Sequence, residues 1–305
     1  MSRLGLALGG GGARGLAHIG VLKVLEAENI KISAITGCSM GSLVGGLYCY
    51  YDDIKKVEEF VFKAMKHPKF QELGVEHFNK KKTGEERNYF EQFFDFVGAR
   101  INALKAFNHL SYFNEEITSE IYELIPDAPI EKFKIKFSAI TSDLISGKEI
   151  NFTSGSLRDV IRASSAIPGI FPPFRFKKYV LVDGSTSESV PVRRVREIGA
   201  DRVIAVDVTK DIAIDVAPQN VYEILYRSED ITSFHLSQER LKEADLVIKP
   251  DVKNNNWSNF DNSEEIIGAG EKVTKNNLKE IKKLYKKNGY LLQFEQLLKK
   301  VRGSV

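Results

Sequence analysis

A chain of 305 residues that is 43% hydrophobic can bury a sizeable core, and its length lies between one large domain and two ordinary ones. Its 44 basic and 41 acidic residues leave a formal charge of +3, too small a bias to mark a nucleic-acid binder. The only cysteines, Cys38 and Cys49, fit neither a metal-ligand spacing nor a disulfide framework, which points to a reducing, cytoplasmic compartment.

In chain order, Leu4 to Leu8 is an apolar run between Arg3 and a glycine run. It is too short for a secretory signal and reads as a buried strand that stops at a tight loop. His18, Val21, Leu22 and Leu25 then recur at helical spacing, with Asn29 as a stop. Ile32 to Tyr51 is a 20-residue stretch without a formal charge, and Gly41 and Gly45 match a membrane-helix packing motif. Its many serines and glycines, and the change of apolar period at Gly37, instead predict a strand over 32–36, a turn, and a helix from Met40.

Residues from about 55 to 127 are rich in Phe and Lys and poor in strand signals, and read as a helical, lid-like insertion. Phe90, Phe93, Phe94 and Val97 would share one helical face downstream of Lys80-Lys81-Lys82. That combination suits a lid lining an acyl channel or touching an anionic bilayer, and equally an ordinary packed face beside a solvated charge run. Alternation over 134–141 and 148–153 around Ser146-Gly147 predicts a hairpin, and Ser156 with Asp159 marks a helix start. A short strand over 179–182 closes at Asp183-Gly184, and Pro191 and Gly199 bracket another helix. A strand over 202–208, a helix over 221–242, a strand over 246–248 and a helix carrying Ile266, Val273, Leu278, Ile281 and Leu284 follow. Asn288-Gly289 is a C-cap signal before a last amphipathic segment. Alternating strands and helices predict an α/β fold whose mostly parallel sheet is covered by helices.

Gly37-Cys38-Ser39-Met40-Gly41 stands between a predicted strand and a predicted helix, the context of a nucleophile elbow; a glycine turn needed only for packing is the alternative. Gly10 to Gly15 matches the G-x-G-x-x-G of dinucleotide sites, but the second strand ends in Thr36-Gly37-Cys38-Ser39 and not in the acid that would hold a ribose. The same loop suits an oxyanion hole, with successive backbone amides beside Ser39. Arg14 would anchor that loop, meet a phosphate head group, or form a structural salt bridge. A serine needs a base. Among the five histidines, only His235 follows Asp183 in the Ser, Asp, His order of an α/β-hydrolase triad, and His18 on an apolar face reads as a core residue. Asp183, at a strand end before Gly184, would take the serine proton directly; alone, Asp-Gly is also an ordinary turn.

Gly10 to Gly15, Gly37 to Gly41 and Asp183-Gly184, with Ser164 to Pro173 as a fourth block, together resemble the patatin-like phospholipase family over about residues 4–210. The resemblance implies a three-layer α/β sandwich as one domain over 1–305, with 211–305 a C-terminal α/β extension on the core. It also implies a Ser-Asp dyad without catalytic histidine: Ser39 as nucleophile, Asp183 as base, and an oxyanion hole from the amides of Gly10, Gly11, Gly12, Ala13 and Met40. Arg14, Gly15, Gly37, Gly41 and Gly184 would support those motifs. The implied substrates are acyl esters of phospholipids, lysophospholipids or related lipids, with no metal or organic cofactor, and the place of action is the cytoplasm, with peripheral contact at the inner membrane surface. Competing readings are a carboxylesterase with a His235 triad, a non-catalytic lipid-binding scaffold, and a nucleotide binder; no oligomeric state follows. The chain departs from the family pattern at Ser185, where Gly or Ala is usual, and at Ser189, where Asn is frequent.

Overall fold

The computed structural model describes residues 2–72, 111, 113–209, 212, 217–218, 221–253 and 255–286. The face carrying Phe90, Phe93, Phe94 and Val97, the lysines at 80–82 and the Asn288-Gly289 cap lie outside the described residues.

An eight-stranded mixed sheet is built around β1 (Leu4–Leu8). β2 (Ala34–Gly37) and β7 (Arg202–Val206) flank β1 in parallel, β3 (Lys136–Asp143) runs parallel to β2, and β8 (Leu246–Ile248) runs parallel to β7. β4 (Glu149–Phe152), β5 (Phe174–Phe176) and β6 (Tyr179–Asp183) are antiparallel to their neighbours. Period-2 alternation splits the core between the two faces. Leu4, Leu6, Leu8, Ile35, Ile204 and Val206 face one way, toward α1 (Ala17–Ala27), α2 (Met40–Tyr51) and α3 (Ile54–Met65). Ala7, Ala34, Val203 and Ala205 face the other way, against α7 (Val192–Glu197) and Leu241 at the end of α8 (Val221–Leu241). Helices therefore cover both faces, as the alternation predicts.

Three further helices connect or brace these layers: α4 (Pro68–Glu72), α5 (Glu115–Tyr122) and α6 (Leu157–Ser164). Ser156 caps α6 by accepting a hydrogen bond from the Asp159 amide. The last predicted helix is divided at Asn277 into α9 (Ser263–Asn276) and α10 (Leu278–Lys286). α9 lies directly on α1. A Cβ at Gly20 would sit 2.0 Å from the Ile267 carbonyl oxygen, and one at Gly270 would sit 2.0 Å from that of Ala17, so the two backbones touch.

The eight residues of β3 exceed the four of β2, and that difference places the end of β6. Residues 139–142 of β3 pair with β4 along one edge, so β2, opposite 136–139, and β6, opposite 141–143, lie end to end along the other. β6 thus runs toward the end of β2 and stops at Asp183 opposite Thr141, two positions beyond the Gly37–Ala139 pair. The sequence reading puts Asp183 at the carboxyl edge of the sheet; the carboxylate reaches it on an antiparallel strand arriving from above.

Candidate active site

Ser39 joins β2 to α2 at φ 51° and ψ −122°, a conformation that strains any residue with a side chain. The strain is held from both sides. The Ser39 amide donates to Ser164 Oγ at 3.0 Å, and the first turn of α2 lies so close to β1 that a Cβ at Gly41 would be 2.2 Å from the Leu8 carbonyl oxygen. Ser39 keeps 6% of its surface exposed, and the N-terminus of α2 lies beside its hydroxyl, where partial positive charge favours an anion.

Asp183 is 1% exposed, and burial pushes its carboxyl above the usual carboxylate range. The side chain of Ser39, the amide and hydroxyl of Ser185, and Cys38 oppose that shift by stabilising the ionised form. Oδ1 accepts from Ser185 N and from Ser185 Oγ, both at 2.8 Å, and from Cys38 Sγ at 3.6 Å. The Asp183 amide donates to the Ala166 carbonyl at 2.9 Å. The end of α6 and the segment after it therefore hold both residues, Ser39 through Ser164 and Asp183 through Ala166. Sequence reasoning singles out Ser164 to Pro173 as a block but assigns Ser164 no task, because a hydroxyl that accepts from a distant amide leaves no spacing signal.

The glycine loop leads from β1 into a 3-10 turn, Gly12–Leu16, and His18 braces its start. The buried ring donates from Nε2 to the Gly9 carbonyl at 2.8 Å, and desolvation lowers its pKa to about 4, leaving it neutral. Two of the five amides expected to hold an oxyanion are engaged elsewhere. Gly10 N donates to the Ser189 carbonyl at 2.9 Å and Ala13 N to the Trp257 carbonyl at 2.5 Å, because the loop is fastened at both ends to neighbouring chain. Among the described residues, the amides of Gly11, Gly12 and Met40 have no backbone acceptor. Gly12, at φ 57°, lies under the same Trp257 carbonyl, where a Cβ would come within 2.3 Å. Arg14 is half-buried in the 3-10 turn, Gly15 packs on Met40, and Gly184 packs on Ile140.

Other acids and histidines occupy different positions. Glu188 is buried, and desolvation together with the neighbouring Glu149 carboxyl pushes it up to about 8. Its amide donates to the Gly184 carbonyl at 2.9 Å, and its carboxyl lies 3.9 Å from Arg240 Nε. His235 is exposed on α8, its ring 5.6 Å from that of Phe234, and His67 accepts from Lys69 N at the start of α4. Among the described residues, no group of three or more His, Cys, Asp or Glu side chains is placed to hold a metal ion, and no helix is long and apolar enough to cross a membrane.

A family model described as patatin-like phospholipase matches residues 6–196. An uncharacterized NTE family protein of Mycobacterium bovis is 32% identical over 204 residues, which is 67% of this chain and 48% of the relative. A lysophospholipase NTE1 of Cryptococcus neoformans is 32% identical over 209 residues, 68% of this chain and 11% of that protein. The neuropathy target esterase sws of Drosophila melanogaster is 31% identical over 207 residues, 67% and 13%. The chain thus spans about half the length of the first relatives and a smaller share of the others. Among solved structures, VipD from Legionella pneumophila superimposes with a TM-score of 0.50 at 16% identity, covering 92% of this chain and 67% of that one, a likeness of fold.

Proposed function

This chain belongs to the patatin-like phospholipase family, and from that premise we propose that it is a serine acyl hydrolase in which Ser39 and Asp183 form the catalytic dyad. The observation that carries the reading is the strained Ser39 turn with a buried, donor-stabilised carboxylate against it. Asp183 accepts the hydroxyl proton as Ser39 Oγ attacks an ester carbonyl, and the alcohol leaves with that proton. Water, deprotonated by the same carboxylate, then hydrolyses the acyl-serine and releases the fatty acid. Charge on the tetrahedral oxygen falls to the amides of Gly11, Gly12 and Met40, the three that remain available. The relatives' names, lysophospholipase and esterase, favour fatty acyl esters of phospholipids or lysophospholipids as substrates.

The exposed position of His235 gives no support to a Ser-His-Asp triad. The test is acyl release from p-nitrophenyl esters and a phospholipid panel by the wild type, Ser39→Ala, Asp183→Asn and His235→Ala. The dyad requires a loss of at least about 10³-fold for the first two variants and little change for the third. Full activity in Ser39→Ala, or a folded but inert wild type, removes this reading.

A further inference from the structure

Among the described residues, the two most exposed large apolar side chains are consecutive: Leu144, at 57% of its full surface, and Ile145, at 69%. Both sit at the tip of the β3–β4 hairpin. The turn is braced from beneath: the buried Asp143 carboxylate accepts from Ser146 Oγ at 2.6 Å, Ser146 N at 3.0 Å and Val180 N at 3.0 Å. Gly147 closes it at φ 65°. A rigid turn holds this pair out in solvent.

The adjacent tip belongs to the β5–β6 hairpin, where Lys177-Lys178 forms the two-residue connection. Leu144 N donates to the Val180 carbonyl at 2.9 Å, joining the two tips side by side. Lys148, Arg175, Lys177 and Lys178 are all exposed around them. Neither 144–148 nor 164–182 contains an aspartate or glutamate. An apolar point ringed by exposed cations, with Asp143 buried beneath it and Glu149 paired with Arg194, is the composition of a surface that enters an anionic lipid interface.

Its location agrees with such a role. β3 is parallel to β1 and β2, so these tips extend from the same end of the sheet that carries the glycine loop and Ser39. Leu144 lies three residues past Thr141, the partner of Asp183, or about 10 Å along the strand. We propose that the paired tips of the β3–β4 and β5–β6 hairpins dock the protein on an anionic phospholipid bilayer, with Leu144 and Ile145 entering the acyl boundary and Lys148, Arg175, Lys177 and Lys178 meeting the head groups. The purpose of this surface rests on the proposed lipid substrate; its binding does not require hydrolysis.

Sedimentation with phosphatidylcholine vesicles, with and without phosphatidylserine, tests the proposal in a Ser39→Ala background, so that binding is read without turnover. Leu144→Ser with Ile145→Ser is expected to weaken partition by at least about tenfold on both vesicle types. Lys177→Gln with Lys178→Gln is expected to weaken it by about fivefold per charge, and only where phosphatidylserine is present. In otherwise wild-type protein both pairs should hydrolyse a soluble p-nitrophenyl ester at the parent rate, which also reports folding. Vesicle binding absent in the parent, or unchanged in both variants, overturns the proposal. Binding that behaves as expected beside an inert soluble-ester assay would refute the hydrolase reading and leave the docking surface standing.

Discussion

Ser185 sets two donors on one oxygen of Asp183, and this is the position at which the chain departs from the family's usual glycine or alanine. As the proposed base, Asp183 must be ionised to act, so activity should fall as pH drops through its pKa, which burial has raised. The Ser185 hydroxyl counteracts that rise, so Ser185→Ala should shift the acid limb of the kcat/KM profile to higher pH by about one unit, with the alkaline plateau nearly intact. An equal loss at every pH would assign Ser185 to support of the loop alone. Ser39 and Asp183 both stand out in the sequence, Ser39 by a small-residue turn between a strand and a helix and Asp183 by a strand end, but their pairing as a dyad comes from the family resemblance and not from spacing. Ser164 and Trp257 do not, because each acts through a partner far away in sequence, and Ser185 stands out only as a departure from the family pattern with no task attached.

Strands and helices with strong periodicity occupy the positions that their patterns predict: β1, α2, the β3–β4 hairpin, and α6 with its Ser156 cap. What periodicity does not carry is direction. β6 reads as one more strand closing at a carboxylate, and the excess length of β3 over β2 leaves the free edge along which it enters antiparallel. β5, three residues of Phe-Arg-Phe, is too short to register as a period. The amphipathic stripe over 266–284 continues through Asn277, whose side-chain amide donates to the Val273 carbonyl at 2.8 Å and divides the helix. α2 lies on β1 with backbone against backbone at Gly41. Gly41→Ala must push backbone away from backbone, and urea unfolding should show a loss of about 1–3 kcal/mol. Because the same movement displaces Ser39, kcat should drop more steeply than stability.

At the scale of the whole molecule, we regard 4–210 as the catalytic core and the segment after 210 as part of the same folding unit. α9 covers α1 with backbones in contact, and Ile266, Ile267 and Ile281 enter the main core. A protein ending at residue 210 should therefore be insoluble or molten by near-ultraviolet circular dichroism; a folded, active truncation would make the extension a separable module. The contact of Trp257 with Gly12 and Ala13 has a further consequence for biosynthesis. A ribosome completes β1, the serine turn and Asp183 well before it adds the residue whose carbonyl fastens the glycine loop. On the proposed reading, the growing polypeptide carries nucleophile and base while the oxyanion cradle is still unfastened, and a capacity to cut lipid would arrive only once Trp257 has been added.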